Sequence, residues 1–210
     1  MKDFKYIRRL PVGIRRMIAM LVVAGTFLTA FTFSVSANPS YAAVRDYPEF
    51  GNDKAQIEIT VYSDYFCPHC SSIEEPVNTM LKKLKDRARI RFVDVPIFPP
   101  NSIRYAEVFL YSWFANGDNL DTALKVRNIL FSAARNRTDQ QAVMKILKSQ
   151  GIAYTENKGR AQEIIHNFYE RMAKYDSVAS TPIMIVVQGL TKKTYNGSKE
   201  ILDALGHLPD

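Results

Sequence analysis

Two cysteines, Cys67 and Cys70, constrain this chain more than any other feature, because they stand three residues apart at a change of period. Upstream, Gln56 to Ser63 alternates apolar and polar residues with β-branched content, which predicts a strand. Downstream, Ile73, Val77, Met80, Leu81 and Leu84 recur every three or four residues, which predicts an amphipathic helix over Ser71 to Lys85. The motif Cys67-Pro68-His69-Cys70 therefore falls at a strand-to-helix junction. A bridge within it closes too small a loop to staple a chain of 210 residues, since the entropic gain falls with loop length. Stability must come from a packed core. With 47% hydrophobic and 23% charged residues, the chain has material for one ordinary domain plus a targeting segment.

The remaining pattern gives the fold class. Ile90 to Pro96 reads as a second strand ended by prolines, and the composition then turns helical from about 101 to 175. Helices are expected over Ser102 to Asn116, Leu120 to Ala134, Asp139 to Ser149 and Ala161 to Lys174. Pro182 to Val187 reads as a buried strand, Gln188-Gly189 as a turn, Thr191 to Asn196 as an edge strand, and Ser198 to Leu205 as a closing helix capped by Ser198. The order β, α, β, helical block, β, β, α is that of an α/β, thioredoxin-like fold with an inserted all-helical subdomain, its first two strands parallel through a right-handed crossover. Residues 38–50 are expected as a linker, and 51–210 as the folded domain.

The first 37 residues read as an export leader. A basic n-region precedes an uncharged run from Met17 to Phe33, and small residues at Val35 and Ala37 suit cleavage before Asn38. An uncleaved anchor is the alternative, since no charge falls between Arg16 and Arg45. The leader also explains the net charge of +7. Six of the 28 basic and one of the 21 acidic residues lie in the first sixteen positions, leaving 22 against 20, a balance of +2. Nucleic acid is therefore not an expected partner. The basic run from Lys82 to Arg91 is expected as a solvated helix end and strand edge.

Exported proteins usually spend cysteines on structural staples. A lone Cys-X-X-Cys pair at a helix start suits disulfide exchange instead, which needs one ionised thiol to attack or be attacked and a second close enough to resolve the mixed disulfide. Cys67 takes the helix N-terminus, where unpaired N–H groups and the positive dipole end favour a thiolate; Cys70, one turn on, is the resolving thiol. Pro68 suits the first helical turn because it needs no N–H there. His69 is expected to donate to the Cys67 sulfur or place positive charge near it. A stabilised thiolate favours the reduced form and makes the disulfide a stronger oxidant. Half of a zinc site is the alternative for a bare Cys-X-X-Cys, but His166 and His207 lack ligand spacing, so no metal is expected. Thr181-Pro182 precedes an apolar strand and is expected as a cis bond; in a thioredoxin-like fold its loop faces the cysteines, and the Thr181 backbone can pair with an extended substrate. Tyr65 and Phe66 either line a peptide groove beside Cys67 or include one core residue, and the sequence does not choose.

Ser63 to Cys70, the helical insertion and Ser180-Thr181-Pro182-Ile183 together resemble the DsbA-type thiol:disulfide oxidoreductases of bacteria, over about residues 50–205. The resemblance implies a periplasmic enzyme without a cofactor beyond the redox-active Cys67–Cys70 disulfide. Its expected partners are reduced or unfolded exported proteins and a membrane protein that resets its oxidation state. With no separate dimerisation domain before the catalytic one, a monomer is expected. Reductase or isomerase activity on the same fold, or a non-catalytic peptide-binding module, are the alternatives. One departure stands out: many relatives carry a buried carboxylate six residues before the first cysteine, and Val61 occupies that position.

Overall fold

The computed structural model describes residues 47–208; the leader, its expected cleavage site and the start of the expected linker lie outside the described residues. Five strands form one sheet: β1 (Glu49–Gly51), β2 (Ile57–Ser63), β3 (Ala88–Asp94), β4 (Ile183–Gln188) and β5 (Thr191–Asn196), in the order β1-β3-β2-β4-β5. β2 and β3 run parallel, joined through helix α1 (Pro68–Lys83), while β4 and β5 form an antiparallel hairpin added to the other side of β2. In β2 every residue but Glu58 is buried, as expected for a central strand covered on both faces. The β5 edge carries Lys192 and Lys193, which discourage further strand pairing.

The helical block follows β3 as α2 (Asn101–Asn116), α3 (Leu120–Arg135), α4 (Gln140–Ser149) and α5 (Lys158–Arg171), the last running into a π-helical turn over Met172–Asp176. Asn119, Asp139 and Asn157 cap α3, α4 and α5 through their side-chain oxygens. α6 (Gly197–His207) closes the chain and packs on α1, whose buried stripe is Cys70, Ile73, Val77 and Leu81 with Glu74 and Asn78 among them.

Four expectations require correction. The linker expected to reach residue 50 ends earlier: Tyr47 and Phe50 are buried, and Glu49–Gly51 pairs antiparallel with β3. Three residues are too few to display a period, which is why this edge strand is invisible in the sequence. Gly51 sits at φ 83, and a Cβ there would meet the Ala88 carbonyl oxygen at 2.4 Å, so glycine is required where the edge strand leaves the sheet. α1 starts at Pro68 rather than Ser71, because the first turn is the motif itself. α6 is capped by Asn196, not Ser198, and the Glu200 carboxylate accepts a hydrogen bond from the Asn196 N–H at 2.8 Å. Finally, Arg91 is not solvated: it is 3% exposed, donating to Glu58 at 3.0 Å and pairing with Glu49 of β1, so the end of the basic run is neutralised within the sheet.

Candidate functional site

Cys67 is the N-cap of α1, with extended backbone (φ −79, ψ 119), and Pro68 is the first helical residue. That register decides the chemistry. An N-cap side chain meets the free N–H groups of the first turn, and here a sulfur stands where serine or aspartate usually stands. Pro68 removes one N–H without loss, leaving those of His69 and Cys70 directed at Cys67. The Cys67 thiol is lowered, to about 5, first by the hydrogen bond from Cys70, then by the Thr181 hydroxyl and by the backbone N–H groups of Cys70 and His69, against the opposing effect of burial. The Cys70 thiol moves the other way, raised by its hydrogen bond to Cys67 and by burial. Both cysteines are free thiols, 6% and 2% exposed.

His69 is exposed, and the donor it offers Cys67 is its backbone N–H. Thr181-Pro182 is a cis bond, and its loop does meet the cysteines: Cys67 Sγ donates to the Thr181 carbonyl at 3.5 Å. Thr181 Oγ1 is buried without a hydrogen-bond partner in the reduced form, so the hydroxyl is available to turn toward a Cys67 thiolate.

The aromatic pair divides. Tyr65 is core, 2% exposed, its hydroxyl donating to Asp94 at 2.8 Å and its ring against Phe131. Phe66 is half-buried, packs edge-on against Tyr105 and, with Cys67 and Pro68, lines a groove of about 840 Å³ between the start of α1 and the helical block. Tyr65 contributes to that groove, whereas Thr181 and Pro182 do not.

Two polar centres beneath the motif escaped the sequence reading. Asp64 is 1% exposed; its Oδ1 accepts from the Phe66 N–H at 2.7 Å and the Ser102 hydroxyl at 2.9 Å, and its Oδ2 from the N–H groups of Ile97 and Phe98 at 2.5 and 3.3 Å. One carboxylate thereby ties the approach to Cys67 to the β3–α2 loop. The second centre is Arg127 of α3, fully buried, which grips both Glu74 oxygens at 2.8 and 3.0 Å, Asp94 Oδ1 at 3.0 Å and the Ser63 hydroxyl at 3.0 Å, with its guanidinium 4.2 Å from the Phe92 ring centre. Burial raises Asp94 to about 6 against the opposing pull of Arg127. Val61, six residues before Cys67, stands opposite Phe92 across β2 and β3 as an apolar pair. A signal for these centres did exist: Glu74 sits within the apolar stripe of α1, and Asp64 opens the aromatic run before Cys67. Among the described residues no three His, Cys, Asp or Glu side chains gather as metal ligands.

Comparison with known proteins yields a family and a set of folds. A sequence profile described as thioredoxin matches residues 45–204. A periplasmic thioredoxin-like protein from Salmonella enterica serovar Typhimurium superposes with a TM-score of 0.61 at 17% identity, covering 78% of this chain and 90% of its own. Wolbachia pipientis alpha-DsbA1 gives 0.60 at 15% identity, covering 77% and 91%, and the catalytic domain of Proteus mirabilis ScsC 0.56 at 17%, covering 78% and 91%. Among curated proteins none matches the sequence.

Proposed function

The chain belongs to the thioredoxin family, and from that premise we propose that it is an exported thiol:disulfide oxidoreductase that introduces disulfides into reduced protein substrates. One observation carries this reading: the N-cap placement of Cys67, with Cys70, the first-turn N–H groups and the Thr181 hydroxyl all favouring its thiolate. Stabilising the thiolate stabilises the reduced enzyme, which makes the Cys67–Cys70 disulfide oxidising. In the oxidised enzyme a substrate thiolate attacks Cys67 Sγ, the Cys67–Cys70 bond breaks, and Cys70 leaves as a thiolate that its raised affinity for protons converts to a thiol. The substrate's second thiolate then attacks the substrate sulfur of the mixed disulfide, and Cys67 leaves as the favoured anion. Two electrons pass to the enzyme, and the substrate gains one disulfide.

The Thr181 backbone beside Cys67 offers an edge for an extended substrate strand, with Phe66 as an apolar contact on the groove side. The redox couple is the cysteine pair itself, without a further cofactor. A membrane protein restores the disulfide, and the enzyme works as a monomer in the periplasm after removal of the leader. The periplasmic description of the Salmonella protein supports that location, and among the described residues no helix is long and apolar enough to cross a membrane.

The test combines two measurements. Equilibration of the Cys67–Cys70 pair with glutathione should give a couple more oxidising than glutathione itself, and a Cys70→Ala variant should trap substrates as mixed disulfides on Cys67. A strongly reducing couple would replace oxidation by reduction or isomerisation. Absence of any trapped adduct would leave a peptide-binding module.

A further inference from the structure

The groove beside Cys67 has a chemical bias that disulfide exchange alone does not require. Its walls come from α1, α2 and the α3–α4 turn, and three arginines project at its lining: Arg104 of α2, Arg135 at the end of α3, and Arg137 in the turn, the last with left-handed backbone at φ 53. All three are exposed, and among the described residues none has a carboxylate partner. Arg135 Nη1 donates to the Ser71 hydroxyl at 2.6 Å, which holds its guanidinium over the first turn of α1, one residue beyond Cys70. Tyr105 fixes the turn by donating to the Thr138 carbonyl at 2.5 Å. The one acid in the lining, Asp139, has Oδ1 committed to the Ala142 N–H as the cap of α4. Several cations elsewhere are paired with acids, among them Arg91 with Glu49 and Glu58, Arg127 with Glu74 and Asp94, and Lys82 with Asp121. Beyond the leader its charges nearly balance, so three guanidiniums without carboxylate partners in one concavity, whose lining holds a single acid, are a local excess.

Guanidinium groups present forked donors that match carboxylates, and a concave basic wall concentrates anions by attraction that salt screens. A groove of about 840 Å³ has room for several side chains of an extended segment. Thr181 and Pro182 lie outside it, so a strand held at Thr181 can place the reacting cysteine at Cys67 and its flanking residues in the groove.

We propose that this groove is a specificity subsite for acidic peptide segments, and that Arg104, Arg135 and Arg137 select substrate proteins carrying Asp or Glu beside the cysteine that reacts. The inference rests on the exchange reading for its biological meaning, while binding to the groove is measurable without any thiol. Fluorescein-labelled hexapeptides with serine in place of cysteine, flanked either by Asp and Glu or by Asn and Gln, are titrated with the full protein and followed by anisotropy. The acidic peptide should bind about tenfold more tightly at low salt, as expected for three exposed charge contacts, and most of that advantage should vanish at about 0.5 M salt. Combining Arg104→Gln, Arg135→Gln and Arg137→Gln should bring the ratio to within about twofold, whereas the corresponding triple Arg→Lys variant retains a preference for the acidic peptide. A ratio near one in the unaltered protein, or a ratio that survives the triple glutamine variant, overturns the subsite. S-methylglutathione competing as well as the acidic hexapeptide would also overturn it, by showing a site for a small free dicarboxylate rather than a chain segment. Failure of the exchange reading registers elsewhere, as absence of adducts on Cys67 in the Cys70→Ala variant.

Discussion

At the scale of single residues, the Arg127 cluster sets one positive charge against two buried carboxylates, and the charges do not cancel unless Asp94 takes a proton. The two sides of the cluster should therefore respond differently to substitution. Arg127→Met leaves Glu74 and Asp94 buried without a counter-ion and should cost about 3–5 kcal/mol in urea unfolding. Asp94→Asn keeps its carbonyl oxygen as an acceptor for Arg127 and turns its NH2 to donate to the Tyr65 hydroxyl oxygen, and should cost no more than about 1 kcal/mol at pH 7. Because Asp94 is raised above its ordinary value of 3.8 to about 6, its contribution is largest below pH 4 and is lost as pH rises through 6. The stability difference between unaltered and Asp94→Asn protein should follow that course. Cys67 behaves with opposite sign. Its thiol is depressed from 9.0 to about 5, so the stability of the reduced protein relative to the oxidised one should rise from pH 5 towards pH 9 and fall as pH drops through 5. Alkylation of Cys67 by iodoacetamide in the unaltered reduced protein should show its half-maximal rate near pH 5, and in Cys70→Ala, which lacks the Cys70 donor, the midpoint should move upward. Of these residues Cys67, Pro68 and Cys70 were legible, because a helix start after a strand fixes their roles. Arg127 was not, since one arginine in an amphipathic helix looks solvated until the acceptors brought by β2, α1 and β3 are known.

Among elements, the β3–α2 loop owes its course to Asp64, 33 positions before Ile97 in the turn between β2 and α1. Asp64 accepts the N–H groups of Ile97 and Phe98 and the hydroxyl of Ser102, while its own carbonyl accepts the Cys67 N–H at 3.0 Å. Asp64→Ala strands those donors in a nearly dry site and should cost about 2–3 kcal/mol. Amide exchange at Ile97 and Phe98 should quicken well beyond the effect of that global loss, and unchanged protection there would refute the tether. Exposed Ile97 and Phe98, at 43% and 51%, are thus held in place by polar contacts at their backbone rather than by burial of their side chains. Sequence periodicity found every helix of the block to within a few residues, since each carries its own apolar stripe and three of the four an Asn or Asp cap. It could not find the loop's order, because a tether between Asp64 and Ile97 leaves no local pattern.

For the whole molecule, the start of the described chain matters more than its appearance as a linker suggests. Phe50 reaches the rings of Phe92 on β3 and Phe109 on α2, joining the sheet edge to the inserted block. Phe50→Ala should therefore cost about 3–5 kcal/mol, and removal of residues 47–51 should abolish cooperative thermal unfolding rather than merely shift it. The α/β class and the position of the insertion were readable from the order of periods along the chain. What that order could not convey is how tightly the two parts are joined. Arg127 is supplied by the insertion, whereas Ser63, Glu74 and Asp94 are supplied by the sheet and α1. An engineer exchanging the helical block with that of another scaffold would have to carry these acceptors along, or strip the arginine out: the insertion is not a cassette, and chimaeras made at its obvious loop boundaries would fail at a lock placed far from either seam.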